Sequence, residues 1–248
     1  MMTPEYLLYQ GLRFFSVLLV GYVAGLLAIY GGVRVNYTRK IFHFAIFFLP
    51  ILFAPEFDVD GNPLTLSIST GVILLLGLGM FMRPVRERLP LINTIYRGVD
   101  RPEDRPYTLF WLTTQIITGY IVLLLMVFLL DRNNVAELVM IPVLINGIGD
   151  GLAEPVGVRF GRYRYNVRAF LSKRRYQRSL EGSSCVFLTS IAVMVLFADH
   201  FTMSQFWTGI VAIPVLMTLA EAFSPHTWDS PFLFLVGGLT LLGIIQWV

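Results

Sequence analysis

Long apolar runs recur along the chain and are separated by short polar connections. A helix rises 1.5 Å per residue, so runs of roughly 17–25 apolar residues can cross the hydrocarbon core of a bilayer. The pattern predicts spans at 6–30, 40–55, 64–82, 108–130, 135–158, 182–199, 205–223 and 231–248. Because the second and eighth spans are short and Pro50 interrupts the second, seven spans with one re-entrant piece fit the pattern as well.

Composition strengthens the membrane interpretation. Hydrophobic residues make up 56% of the 248 residues, charged residues make up 14%, and the mean hydropathy is +0.68, which leaves too little polar surface for a soluble domain. The first apolar run follows Glu5 and not a basic stretch, so we expect it to stay as a span instead of being cleaved. We predict an all-α polytopic membrane protein of seven to eight helices, with one domain over residues 1–248.

Lys and Arg alternate between connections. Three lie in the first connection, six in the third and eight in the fifth, whereas the fourth has only Arg132 and the second, sixth and seventh have none. By the positive-inside rule, the odd-numbered connections are predicted to be cytoplasmic and both termini to lie outside.

Two carboxylates stand at the predicted cytoplasmic end of the fifth span. Asn146, Asp150 and Glu154 recur every four residues, so a continuous helix would place all three on one face. Ionisable groups in a membrane helix usually face a bundle interior or a wet cavity and mark function. The alternative is that the two acids pair with arginines of the next loop and anchor the helix.

Glycines surround these acids, and a basic loop follows them. Gly149 and its neighbours predict either close helix packing or backbone access to a phosphate or metal, with Pro155 stopping the helix. The sixth span then starts near Ser179 or Ser183, either of which could cap it, and its N-terminus is a favourable position for an anion. The loop's cations fit anionic lipid head groups, topology or phosphate binding.

Two further polar clusters lie at the same predicted edge. Arg39, Lys40 and His43 can share one face at the start of the second span, although snorkelling and ordinary hydrogen bonding would also explain them. Asp229 looks like a helix cap at the start of the eighth span, whereas capping does not explain Glu221 near the end of the seventh.

Together these groups predict one cytoplasmic-face site with acids for Mg²⁺, cations for phosphate and helix N-termini. Such parts suit phosphoryl transfer, which depends on positioning and charge stabilisation. A lipid substrate would enter from the bilayer.

Four segments resemble a known family. RKIFH (39–43), GDGLAEPVGVRFGRYRY (149–165), RSLEGS (178–183) and EAFSPHTWDSP (221–231) look like the CTP-dependent polyprenol kinases, the group of dolichol, phytol and farnesol kinases. More distantly, the chain is similar to the CDP-diacylglycerol synthases. It departs from the kinase pattern where Arg178 replaces a common Lys, where Ser230 replaces Asn after Asp229, and in a longer basic insertion.

The resemblance implies residue roles. Asp150 and Glu154 are expected at the metal and catalytic centre, with Asp150 as a Mg²⁺ ligand or, if Glu154 holds the metal, as the proton acceptor. Lys40 and His43 are expected to be catalytic. The nucleotide is expected to be bound by Arg39, Asn146, Gly149, Arg162, Arg164, Lys173, Arg178, Ser179, Glu181, Gly182, Ser183, Glu221 and Asp229.

The hypothesis is a membrane kinase that moves the terminal phosphoryl group of CTP to an isoprenoid alcohol such as phytol, farnesol or dolichol. No nucleic-acid partner is expected, and CTP in place of ATP rests on the resemblance alone. A phospholipid cytidylyltransferase and an anion or lipid transporter are the alternatives. Because the charges cluster at one edge and not at the midplane, transport is the less favoured of the two.

Overall fold

The computed structural model describes residues 3–53, 63–169 and 173–248. The helices are α1 (Pro4–Ile29), α2 (Val35–Phe53), α3 (Pro63–Met80), α4 (Arg83–Arg86), α5 (Pro90–Arg97), α6 (Thr108–Asp131), α7 (Met140–Leu144), α8 (Gly151–Phe160), α9 (Leu180–Leu196), α10 (Met203–Phe223) and α11 (Asp229–Trp247). Each predicted span coincides with a helix to within a few residues. Positions 54 and 55 of the second span lie outside the described residues.

Within the described ranges, five helices are long and apolar enough to cross a membrane: α1, α6, the composite helix Ala136–Phe160, α10 and α11. Two shorter apolar helices, Ile68–Met80 and Leu180–Leu196, accompany them. The predicted all-α polytopic membrane fold is therefore confirmed, and the chain is a multi-pass membrane protein.

The first of two compact units covers Met1–Thr113. Here α1 packs against α2 and α5, and the fully buried hydroxyl of Thr38 donates to the carbonyl of Gly98 at 2.7 Å. Ile92 and Ile95 of the amphipathic helix α5 form a small apolar core with Phe81 and Tyr96.

The second unit covers Thr114–Val248. In it α9 packs against α8 and α10, and α10 packs against α11. Small residues permit this approach, since a Cβ on Gly182 would lie 2.6 Å from the carbonyl oxygen of Ala153, and one on Gly149 would lie 3.0 Å from Cα of Val186. Close packing, one of the two predicted roles of these glycines, is therefore present. The organisation into one domain stays a prediction.

The fifth span is one helix with an irregular centre. Residues Ile145–Asp150 are π-helical between α7 and α8, so the predicted continuous α-helix through Asn146, Asp150 and Glu154 is wrong in this segment. The expectation that Pro155 stops the helix is also wrong, because Pro155 lies inside α8. A proline removes one N–H, and a membrane helix with packed neighbours tolerates that loss.

A β-hairpin connects α8 to α9, and the helical prediction missed it. Strands β1 (Arg164–Arg168) and β2 (Arg175–Ser179) pair antiparallel, with Tyr165 opposite Arg178 and Val167 opposite Tyr176. Side chains alternate between faces along a strand. Accordingly, Val167 and Tyr176 are buried, whereas Arg164, Arg168 and Arg175 are exposed.

Candidate functional site

Arg178 is the centre of a buried polar network in the second unit. Its side chain is 12% exposed. One terminal nitrogen donates to Oε1 of Glu221 at 3.2 Å and to Oγ of Ser224 at 3.1 Å, and the other binds Oδ1 of Asp229. Burial opposes its charge, but Asp229 and Glu221 outweigh that and raise the pKa of Arg178. A guanidinium can divide its donors between two acids more readily than the single ammonium of lysine.

Tyr165 and Ser183 extend this network from β1 to the first turn of α9. Ser183 Oγ donates to Oε2 of Glu221 at 2.7 Å, and the hydroxyl of Tyr165 lies 2.6 Å from Ser183 Oγ. Because Ser183 has one hydroxyl hydrogen, Tyr165 is the donor in their bond. Burial, and after it the charge of Glu221, raises the pKa of Tyr165 to about 12.

The start of α9 is held by two side chains. Ser179 Oγ accepts from the N–H of Gly182 at 3.0 Å, which confirms Ser179 as the cap. Glu181 Oε1 accepts from the N–H groups of Arg162 and Tyr163 at 2.9 and 3.2 Å. Glu181 therefore fixes the chain after α8 to the start of α9, a positioning role for this residue.

Asn146 and Asp150 are buried, at 0% and 6% exposure, and Glu154 is half-buried. Ser230 of α11 donates to Oδ1 of Asn146 at 3.3 Å and accepts from Gln115 at 3.3 Å. Asp150 lies at the end of the π-helical turn, which packs against α9. π-helical turns are frequent at functional sites, and this one carries Asp150.

The predicted phosphate-binding cations do not share one environment. Arg162, Arg164 and Lys173 are exposed, and Arg164 donates to Gly161 O and to Gln177 Oε1, both at 3.3 Å. Arg178 is instead paired with two carboxylates. The four cations therefore differ in exposure and pairing, and their expected common role in neutralising a triphosphate stays a prediction.

Asp229 does not cap α11, contrary to one sequence interpretation. The residue preceding α11 is Trp228, which makes no side-chain capping bond, and Asp229 is the first helical residue. Its Oδ1 accepts from Ser224 at 2.6 Å and pairs with Arg178. Asp229 therefore binds the cation and Ser224 from the first turn of α11.

The first motif lies in the other unit. Lys40 is buried at 5% exposure, and Arg39 and His43 are half-buried on α2. The His43 ring centroid is 4.7 Å from that of Phe47. The predicted gathering of these residues with Asp150 at one site stays a prediction.

Asp150 and Glu154 suit a hard cation in donor chemistry. The described residues contain no group of three or more His, Cys, Asp or Glu that could hold a metal. Mg²⁺ commonly uses one or two carboxylates together with substrate phosphates, so this pair fits such a site. Glu221 and Asp229 are less suitable, since Arg178 already occupies oxygens of both.

Fold and site together define a multi-pass membrane protein with a buried acidic and cationic cluster at one end of α9. The chain is 29% identical over 168 residues to dolichol kinase of Saccharomyces cerevisiae (strain ATCC 204508 / S288c). The match covers 66% of this chain and 28% of the yeast protein, so the chain spans under a third of that relative. The chain is thus related to the polyprenol kinases, as the motifs predicted. Its similarity to CDP-diacylglycerol synthases stays a prediction.

No family profile matches the chain, and no solved structure does.

Sequence reasoning missed Tyr165 and Ser224 as members of the Arg178 network, and it missed Ser230 and Gln115 as the hydrogen-bonded pair beside Asn146. Tyr165 could have been found from the alternation in RYNVR, where every second residue points inward. Ser224 and Gln115 give no signal of their own, because their partners lie on distant segments.

Proposed function

We propose that this chain is an integral membrane kinase that transfers the terminal phosphoryl group of CTP to the hydroxyl of an isoprenoid alcohol, of the phytol, farnesol or dolichol kind, at the cytoplasmic face. The observation that carries the proposal is the buried carboxylate of Asp150 on a π-helical turn that packs against α9. The similarity to a dolichol kinase supports the substrate class.

In this proposal Asp150 and Glu154 hold Mg²⁺. The ion, when bound, neutralises phosphate charge and orients the donor. Arg178 pairs with Glu221 and Asp229 and fixes their positions, and Ser183, itself bonded to Tyr165, donates to the other carboxylate oxygen of Glu221. This fixed arrangement supplies the preorganised charge that phosphoryl transfer needs.

Labelled CTP tests the reaction. The purified chain, with Mg²⁺ and a panel of phytol, farnesol, dolichol and diacylglycerol, is expected to move label from the terminal phosphate into an isoprenoid lipid. With phosphatidic acid as an additional acceptor, label from the inner phosphate in a lipid product would indicate a cytidylyltransferase, which joins CMP to the lipid phosphate and releases pyrophosphate. If label from neither phosphate appears in lipid, the kinase proposal is overturned and a transporter is favoured.

Asp150→Asn tests the residue assignment. We expect turnover to fall by roughly 10²–10⁴-fold, the contribution typical of a positioned proton-transferring group and of similar size for a lost metal contact. Asp131→Asn, at the exposed end of α6, is the matched control and should be unaffected. A Mg²⁺ titration then separates the two roles: a metal ligand shifts the Mg²⁺ dependence, whereas a proton acceptor leaves it unchanged.

A further inference from the structure

The connection from α8 to α9 is strongly basic. Residues 161–179 contain seven Lys and Arg and no Asp or Glu. Because side chains alternate along a strand, these cations lie on two different faces of the hairpin. Arg178 points inward to Glu221 and Asp229, while Arg164, Arg168 and Arg175 are exposed on the outer face.

The outer face includes a repulsive pair. Arg168 stands directly opposite Arg175 in the register, and like charges in that position destabilise a sheet. A two-stranded hairpin is only marginally stable by itself. Within the described parts of the chain, neither guanidinium forms an ion pair, and exposed Lys173 adds charge close to the turn.

The outer face is directed away from the buried network. The inner face of the hairpin packs on the connection between α10 and α11, where Ala169 bridges to His226 and the Tyr176 and His226 rings stack with centroids 3.4 Å apart. The N–H of His226 donates to the carbonyl of Arg168 at 2.9 Å. The outer arginine side chains therefore belong to a surface separate from the Asp150 and Glu221 cluster.

Exposed aromatic and apolar residues flank the hairpin. Phe160 at the end of α8 is 59% exposed, Tyr163 in the connection that follows is 70% exposed, and Leu180 at the start of α9 is 59% exposed. Exposed aromatic residues at the ends of membrane helices mark the head-group region. A basic surface emerging at this level lies within reach of lipid phosphates.

We propose that the outer face of the hairpin, formed by Arg164, Arg168, Lys173 and Arg175, binds the phosphate groups of anionic lipids in the adjacent leaflet. The lipid phosphates would neutralise the pair Arg168 and Arg175. Each Lys or Arg beside an anionic leaflet strengthens association about fivefold. This surface does not depend on the proposed kinase reaction and would exist in a cytidylyltransferase or a transporter as well.

A fluorescent label on the outer face tests this. Cys185 is the single cysteine, so the full chain with Cys185→Ser and Asn166→Cys takes one environment-sensitive dye on the exposed face. In nanodiscs containing phosphatidylglycerol, we expect blue-shifted, brighter emission than in phosphatidylcholine discs, with the difference reduced by salt. Arg168→Gln with Arg175→Gln should weaken the association of the hairpin with the anionic leaflet by up to about 30-fold and so reduce the emission difference.

Two controls make the result decisive. Arg132→Gln, on another connection, should leave the emission difference intact, and Arg164→Gln with Lys173→Gln should reduce it without altering the cross-strand pair. Equal emission in both lipids would overturn the proposal. The same blue shift on adding pyrophosphate or CTP in phosphatidylcholine discs would also overturn it, because the ligand would then be a soluble phosphate.

Discussion

The two faces of the β-hairpin place the same residue type in opposite environments. Arg178 is 12% exposed and touches two carboxylates, while Arg175, three positions earlier, is exposed and faces Arg168. The difference follows from strand geometry, because odd and even positions point to opposite sides. A count of the positive charges in this connection therefore does not distinguish the buried structural cation from the exposed cations of the basic surface.

Removing the inner cation should have the largest effect on stability. Arg178→Gln leaves Glu221 and Asp229 buried without their counter-charge, and breaking a buried pair in this way costs roughly 3–5 kcal/mol. Thermal unfolding in a mild detergent should show a large fall in the midpoint. Arg175→Gln is the matched control and should shift it little. Similar midpoints for both variants would contradict the distinction between the two faces.

Removing one acid should cost less than removing the shared cation. In Glu221→Gln, Arg178 keeps Asp229, and Ser183 can still donate to the amide oxygen, so the loss should be about 1–3 kcal/mol. A double-mutant cycle with Arg178→Gln measures the coupling, which should be well above zero for groups 3.2 Å apart. Additive losses would mean that the two side chains act independently.

Tyr165 connects the inner face to α9, and its titration provides a pH test. Its pKa is about 12 in the folded chain, raised by burial and by Glu221, against about 10 in an unfolded chain. The folded state holds the phenol proton more tightly. The stability that protonated Tyr165 contributes is therefore complete below about pH 10 and is lost as the pH rises through about 12. The Tyr165→Phe variant should lack this part of the alkaline loss in thermal unfolding. Identical pH profiles would show that Tyr165 titrates normally.

The apolar helices were predictable from sequence because hydrophobic length is a local property that the bilayer imposes. The eight apolar runs lie where helices lie, and five of the described helices are long and apolar enough to cross a membrane. The number of spans, seven to eight, stays a prediction. The hairpin was missed because the many basic residues of this connection obscured a period-two alternation of buried and exposed positions in RYNVR and at the start of RYQRS. The prediction that Pro155 stops the helix was wrong because the helix-breaking rules that hold in water are weaker in a packed membrane helix.

The site was only partly predictable for a different reason. Asp150, Glu221 and Ser179 stand out in sequence, as buried acids and a helix cap do. The bond from Arg178 to Asp229 joins positions 51 residues apart. No local pattern shows that Arg178 reaches this acid and Arg175 does not, so the charge pairing depends on the register of the hairpin and on tertiary packing.

The smallest expected effect is a change in stability at the outer face, and we expect its sign to depend on whether anionic lipid is present. Arg168→Gln removes the repulsion with Arg175 and should raise stability by about 0.2–1 kcal/mol in a zwitterionic detergent. In anionic nanodiscs the same change removes a lipid contact, so the gain should vanish or reverse. Gln177→Glu, which adds a negative charge to the same face, should likewise stabilise only in the absence of anionic lipid. A destabilised Arg168→Gln variant in zwitterionic detergent would mean that this arginine has a partner within the protein, and the contrast between the two faces would fail.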